Sequence, residues 1–237
     1  MAEILQKTMK LDNKELYDFF IEKNILVLYH ANTVSTSLTY FQQNGLLSRG
    51  AVENLGLAQT YQTSDEADKI LNVWNDVFLD STDLHALFSR QNYYGPILFE
   101  FDIRLIQNEN FEIWITKNNP IYWETNSTDD ERYFVSVEEL RNNWNNYERQ
   151  KKMITIRNNS KPILFEYVRR VVVDDPRVEI KSENIHLFND SVKKIREIVN
   201  DLHILKGKFI IRNCLNCWCR DNYLKQISVS DLKRLFL

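Results

Sequence analysis

The sequence predicts an α+β domain, and three observations predict it. Apolar runs of strand length recur through the middle of the chain. Few helical stretches separate them, and several are joined by short turns, so the pairing should be antiparallel rather than doubly wound. Only five glycines and four prolines in 237 residues leave no flexible linker to divide the chain, which reads as one domain over residues 1–237. Its core would fall at about 25–175, with a helical, cysteine-containing extension at 176–237.

Residues 1–24 place Leu11, Leu16, Phe19 and Phe20 near helical spacing, a lead-in amphipathic helix. Ile25–Tyr29 is a continuous apolar run that delivers Tyr29, His30, Asn32 and Thr33 to a strand end. Thr33–Gln43 reads as helix, capped by Thr33 or Ser35 and stopped by Gly45. Ser48 and Arg49 then emerge from a turn flanked by glycines. Residues 50–72 are polar and irregular, the composition of a loop that covers a substrate. Val73–Leu79 is a short aromatic-rich run. Ser81 or Thr82 can cap a helix through Phe88, and Tyr94-Gly95-Pro96 turns the chain.

Ile97–Leu105 and Phe111–Ile115 read as a hairpin joined at residues 107–110. Residues 117–135 are again polar loop, and Val137–Tyr147 is helical. Lys152–Ile156 and Ile163–Val173 read as strands either side of an Asn-Asn-Ser-Lys-Pro turn. Asp174-Asp175-Pro176 ends the second. The tail offers a helix at 189–201, a strand at 208–211 and a short helix near 230–236.

The bulk numbers exclude some functions. Thirty basic against 33 acidic side chains rule out a uniformly basic nucleic-acid binder, though not a local basic patch. No run of 18 apolar residues would span a membrane. The amino-terminal residues lack a secretory layout. An odd number of cysteines clustered within six positions argues against a disulfide framework and points to a reducing cytoplasm. No glycine-rich phosphate loop of the Rossmann or Walker kind is present.

His30, at the end of a buried strand, could donate a ring N–H to a nucleotide ribose, or could be satisfied at the core edge. Arg49 could clamp a diphosphate with its guanidinium, Gly50 freeing the backbone for close approach, or could be an exposed turn arginine. Glu148, at the entry to a strand, could stabilise positive charge on a ribose. Beside it Arg149, Lys151 and Lys152 could contact phosphates, or could be solvated cations at a helix end. Cys214, Cys217 and Cys219 supply three soft ligands, with His203 or His186 to complete a tetrahedral zinc site. The residues alone favour free thiols packed around Trp218 over a metal. Most aromatics read as core, with Tyr122 and Trp123 the exceptions that could stack on bases.

Tyr29-His30-Ala31-Asn32-Thr33, the helix, and Gly45-Leu46-Leu47-Ser48-Arg49 resemble the opening of the DarT family of nucleic-acid ADP-ribosyltransferase toxins. The segment Asp76–Leu84, the strand Ile97–Phe101 and the layout from Arg149 to Val173 are similar to that family's following elements. The resemblance spans about residues 25–175 as a pattern of elements. It implies an ADP-ribosyltransferase-like split antiparallel β-sandwich with peripheral helices and a central NAD⁺ cleft. NAD⁺ would be the substrate and a single-stranded DNA or RNA base the acceptor. It implies a toxin or phage-defence effector, with an antitoxin as a further partner.

Tyr29, His30, Ala31, Asn32, Thr33, Ser48, Arg49 and Phe78 would then line the NAD⁺ pocket. The chain departs from the family in three places, the third being the family's clamp arginine further along the loop, where this chain has only Lys69. Asn32 stands where the family has threonine. The family's catalytic glutamate would fall at Lys152 or Met153, so Glu148, Glu166 or Glu131 would have to serve, and Arg49 takes the clamp role by position and charge.

Overall fold

The computed structural model describes residues 10–87, 94–146 and 153–237. Helix α1 (Asn13–Glu22) begins at Asp12, whose carboxylate accepts the Glu15 amide, and buries Leu16, Phe19 and Phe20. Strand β1 (Val27–Asn32) runs past the apolar stretch to include His30 and Asn32, so these side chains project from the strand itself. Thr33 caps α2 (Val34–Gln42) as its sequence position predicts. After β2 (Gly45–Leu46), Ser48 caps α3 (Arg49–Asn54), and α4 (Asp65–Ile70) follows. The stretch expected to be a long irregular loop thus holds two short helices, with residues 55–64 and 71–72 outside them.

Strand β3 (Val77–Asp80) leads to α5 (Leu84–Leu87), and β4 (Ile97–Asp102) comes after Gly95. Here the expected hairpin fails. Asp102 accepts the Arg104 amide and turns the chain into a 3₁₀ helix, Ile103–Gln107, which buries Ile103, Leu105 and Ile106. Strand β5 (Ile113–Ile115) is thereby sent to the far side of the sheet. The expected loop at 117–135 carries α6 (Asp129–Arg132), closed by a Thr128–Glu131 capping box. Helix α7 ends early, at Val137–Asn142.

Strand β6 (Met153–Ile156) and the short β7 (Ile163–Leu164) precede a 3₁₀ turn, Phe165–Tyr167, which separates β7 from β8 (Val168–Asp175). The predicted strand 163–173 is therefore two strands on different neighbours, since β7 pairs with β2 and β8 with β4. The tail adds β9 (Glu179–Ile180), β10 (Ile185–His186), α8 (Leu187–Val199), β11 (Phe209–Asn213), α9 (Trp218–Lys225) and α10 (Val229–Phe236).

Among the described residues the main sheet has seven strands in the order β11-β8-β4-β1-β3-β6-β5. Every pairing is antiparallel except β11 with β8. Strands β1 and β4 share six registered pairs. In contrast β1 meets β3 in one registered pair, Tyr29 opposite Asp80. The sheet is thus split into a four-stranded and a three-stranded half that touch at that point. A stack of Phe41, Phe99, Phe165 and Phe209 rings fills the core beneath the larger half. A second cluster joins Val178, Leu187, Cys214, Tyr223 and Phe236 in the tail. No helix of the described residues is long and apolar enough to cross a membrane.

Candidate functional site at the split in the sheet

The two halves of the sheet are bridged by a side chain. His30 Nδ1 lies 2.9 Å from the Phe78 carbonyl oxygen on β3. A carbonyl can only accept, so Nδ1 carries the proton and Nε2 presents a lone pair, 3.4 Å from Asn32 Nδ2. Burial pushes the imidazole down to about 4, and the nearby Arg49 charge adds to that push. His30 is therefore neutral at physiological pH. Asn32 is buried and fully engaged: it donates to Tyr40 Oη at 3.1 Å and accepts from the Thr33 amide at 2.8 Å.

Arg49 is not an exposed turn residue. It begins α3, its guanidinium lies over the Trp74 ring, and Nη2 reaches Asp65 Oδ2 at 2.6 Å and the Thr60 carbonyl at 3.0 Å. Its Nε and Nη1 are buried and have no acceptor among the described residues. Nη2 anchors the guanidinium, and Nε and Nη1, on opposite edges of it, are each a donor that a phosphate or carboxylate oxygen could meet singly. Gly50 serves a different purpose from the one its sequence suggests. A Cβ there would meet Asn75 Oδ1 at 2.1 Å, so glycine lets α3 lie against Trp74 and Asn75.

Other predicted residues divide between the site and its scaffold. Tyr29 faces Glu100 on one side and Asp80 on the other, and burial raises its hydroxyl pKa. Ala31 pairs with Leu98, and Phe78 supplies the carbonyl that orients His30. Thr33 is buried, with its hydroxyl 2.7 Å from that of Thr60, which ties the 55–64 loop to the start of α2. Ser48 is committed to the Asn159 carbonyl at 2.7 Å and to capping α3.

Glu166 is exposed in the 3₁₀ turn beside Phe165, and among the described residues no hydrogen bond or charge interaction ties it to His30 or Arg49. Glu131 is spent on its capping box. Glu148, Arg149, Lys151 and Lys152 lie outside the described residues. Trp123 packs on Tyr133 and under Arg132, whereas Tyr122 is exposed.

One acid that sequence reasoning passed over stands at the split. Asp80 ends β3 opposite both Tyr29 and Met153, and burial pushes its carboxyl up to about 7. Alternation along β3 puts Phe78 on the same face. Burial raises the Tyr94 hydroxyl, and the Asp80 and Asp68 charges add to that; burial likewise raises Asp68, which the Arg49 charge partly offsets. Arg49 is thus within electrostatic reach of His30 and Asp68, and Tyr94 of Asp68 and Asp80, while Asp80, opposite Tyr29, lies on the face of the strands away from His30. Gly95 closes over the end of β1: with φ of +122° its backbone rests on the Asn32 peptide, where a Cβ would meet Asn32 O at 2.3 Å. The sequence signal for Asp80 was the acidic and hydroxylic run Asp80–Asp83 directly after an apolar strand, which reads equally as a turn.

No family model matches this sequence, and no curated protein matches it. Solved structures do. The chain is similar to "Thermus sp. 2.9 DarT in complex with ADP-ribosylated ssDNA", with a TM-score of 0.51 and 11% identity, over 80% of this chain and 95% of that one. It also aligns with "Thermus sp. 2.9 DarT in complex with NAD+", with a TM-score of 0.45 and 12% identity over 79% and 96%. The fold, a mixed α/β arrangement with a split seven-stranded sheet and peripheral helices, is that of the ADP-ribosyltransferase DarT.

Proposed function

We propose that the chain is an NAD-dependent ADP-ribosyltransferase that modifies a base of single-stranded DNA or RNA, acting from the split between the two halves of its sheet. The observation that carries this reading is Arg49, whose two unsatisfied, buried guanidinium nitrogens sit beside a neutral His30 at that split. The likeness in fold to a DarT that holds ADP-ribosylated ssDNA supports it. NAD⁺ lies with its diphosphate on Arg49 and its nicotinamide half against His30 and the backbone at Ala31. Tyr29, Asn32, Thr33, Ser48 and Phe78 form the surrounding walls.

The bond from ribose C1′ to the pyridinium nitrogen breaks, and nicotinamide leaves with the electron pair. A carboxylate stabilises the resulting oxocarbenium-like ribose through its 2′-hydroxyl. A base nitrogen then forms the new bond to C1′ and gives up a proton. Glu148 is the acid we assign to the oxocarbenium, with Glu166 the second candidate. Asp80, near neutrality in its pKa, suits the proton transfer better than the anionic role. Arg149, Lys151 and Lys152 hold the nucleic-acid backbone. The whole chain 1–237 acts as one transferase domain, as a toxin or phage-defence effector in the cytoplasm, restrained by an antitoxin.

Incubation with labelled NAD⁺ and oligonucleotides tests this. Label should move to the nucleic acid, and Glu148→Gln should slow turnover about a hundredfold to a thousandfold, the loss of one preorganised contact of about 2.7–4 kcal/mol, while NAD⁺ still binds. Met153 in register with Asp80 favours a second reading, a cleft that binds a nucleotide without transferring it. NAD⁺ binding with no transfer to DNA, RNA or protein would select that reading; no NAD⁺ binding would remove both.

A further inference from the structure

The chain's three cysteines come together in the tail as free thiols. Strand β11 ends at Asn213 and hands Cys214 into a turn, Cys217 caps α9, and Cys219 lies in the first turn of that helix. Cys214 and Cys219 are buried, while Trp218, expected at their centre, is exposed. His186 and His203, the histidines the sequence offered as a fourth ligand, are elsewhere: His186 pairs with Glu179, and His203 is exposed in a 3₁₀ turn. The histidine that arrives is His85, from α5. Its Nε2 stands 3.8 Å from Cys214 Sγ and 3.7 Å from Cys217 Sγ.

The four potential donor atoms of His85, Cys214, Cys217 and Cys219 all lie within 4.8 Å of one another. Zinc bonds of about 2.3 Å to sulfur and about 2.0–2.1 Å to nitrogen make tetrahedral edges of about 3.8 Å and about 3.6 Å. The two nitrogen–sulfur edges from His85 are close to that size, and the remaining donors lie near enough to draw in around one ion. On the far side of the imidazole, Nδ1 is 3.0 Å from Asp174 Oδ2. Asp174 is buried, and Arg212 Nε holds its other oxygen at 3.2 Å while reaching Asp83 at 3.1 Å. A carboxylate at ion-pair distance behind the histidine favours the proton on Nδ1, which leaves the Nε2 lone pair for the side of the sulfurs, as the outer shell of zinc histidines does.

We propose that His85, Cys214, Cys217 and Cys219 bind a structural zinc ion. Three thiolates and one imidazole close the coordination sphere, leaving no position for a reacting water, so the ion holds structure rather than doing chemistry. The thiols release their protons as the metal enters. The ion joins α9 and the second core to the segment just beyond β3, five residues after Asp80. It therefore braces one wall of the split from outside, independently of what the split binds.

The test is metal analysis of the untagged full-length chain, purified under reducing conditions without chelator. About one zinc per chain is expected, and His85→Ala and Cys217→Ser should each remove it. In wild-type protein stripped and titrated with cobalt, tetrahedral visible bands with thiolate charge transfer should appear and vanish on adding zinc. Asp174→Asn should weaken zinc about tenfold to a hundredfold with the stoichiometry kept. Metal far below one per chain in the wild type, octahedral cobalt spectra, or a disulfide among the three cysteines in the freshly isolated protein would each overturn the proposal. So would a metal content untouched by both substitutions.

Discussion

At Arg49 the fold commits Nη2 to Asp65 and Thr60 and leaves Nε and Nη1 buried without an acceptor among the described residues. A lysine there keeps the charge and loses the fork. Arg49→Lys should therefore weaken NAD⁺ about tenfold or more, the loss of a charge-assisted hydrogen bond of about 1.5–3 kcal/mol, measured by titration calorimetry. Unchanged affinity would assign Arg49 to the scaffold. His30 makes a prediction about pH. Its folded pKa, about 4, lies below the unfolded value of 6.5, so between those values the unfolded chain takes a proton that the folded chain refuses. Stability from this group is full above pH 6.5 and falls as pH drops toward 4. The denaturation midpoint should decline less over that window in His30→Gln than in wild type; parallel curves would contradict a neutral, bridging imidazole. If Asp80, raised to about 7, takes the proton in the proposed transfer, activity should climb through neutrality and Asp80→Asn should flatten that limb of the rate profile.

At the scale of elements, the three-stranded half is held together by a buried charge. Arg157, at the end of β6, donates to Asp76 Oδ2 at 2.8 Å and to Tyr133 Oη at 3.0 Å, and its guanidinium lies 4.5 Å from the Trp114 ring centroid. Arg157→Ala leaves Asp76 buried and unpaired by its cation, and should cost about 3–5 kcal/mol of stability by denaturant unfolding. A loss under about 1 kcal/mol would show the pair to be a surface-like contact. The same scale shows what the sequence reveals and what it hides. The β1 and α2 succession is readable because local chemistry dictates it, an apolar run and then Thr33 capping a helix, whereas α3, capped by Ser48, is hidden in a polar stretch that reads as loop. The β4–β5 hairpin misleads because adjacency in sequence does not set pairing here. One aspartate cap at Asp102 diverts the chain, and each strand of the main sheet bonds to neighbours distant in sequence. His85 was hidden for the same reason, lying 129 residues from Cys214.

For the whole molecule, the account turns on a sheet whose halves meet at one pair of residues. Strand β1 is bonded along its length to β4, yet only Tyr29 faces Asp80 across the split. His30 and Arg49 could be named as candidates from sequence because an imidazole after an apolar run and an arginine between Ser48 and Gly50 are unusual locally. That they share one neighbourhood depends on long-range packing, which periodicity does not encode. Asp80 escaped notice because an acid at a strand end normally faces water. The most direct measurement is a crystal structure of the chain grown with NAD⁺. The dinucleotide is expected in the split, its diphosphate on the Arg49 guanidinium and its nicotinamide half against His30. NAD⁺ seated elsewhere on the surface, or absent from the split at saturating concentration, would contradict it.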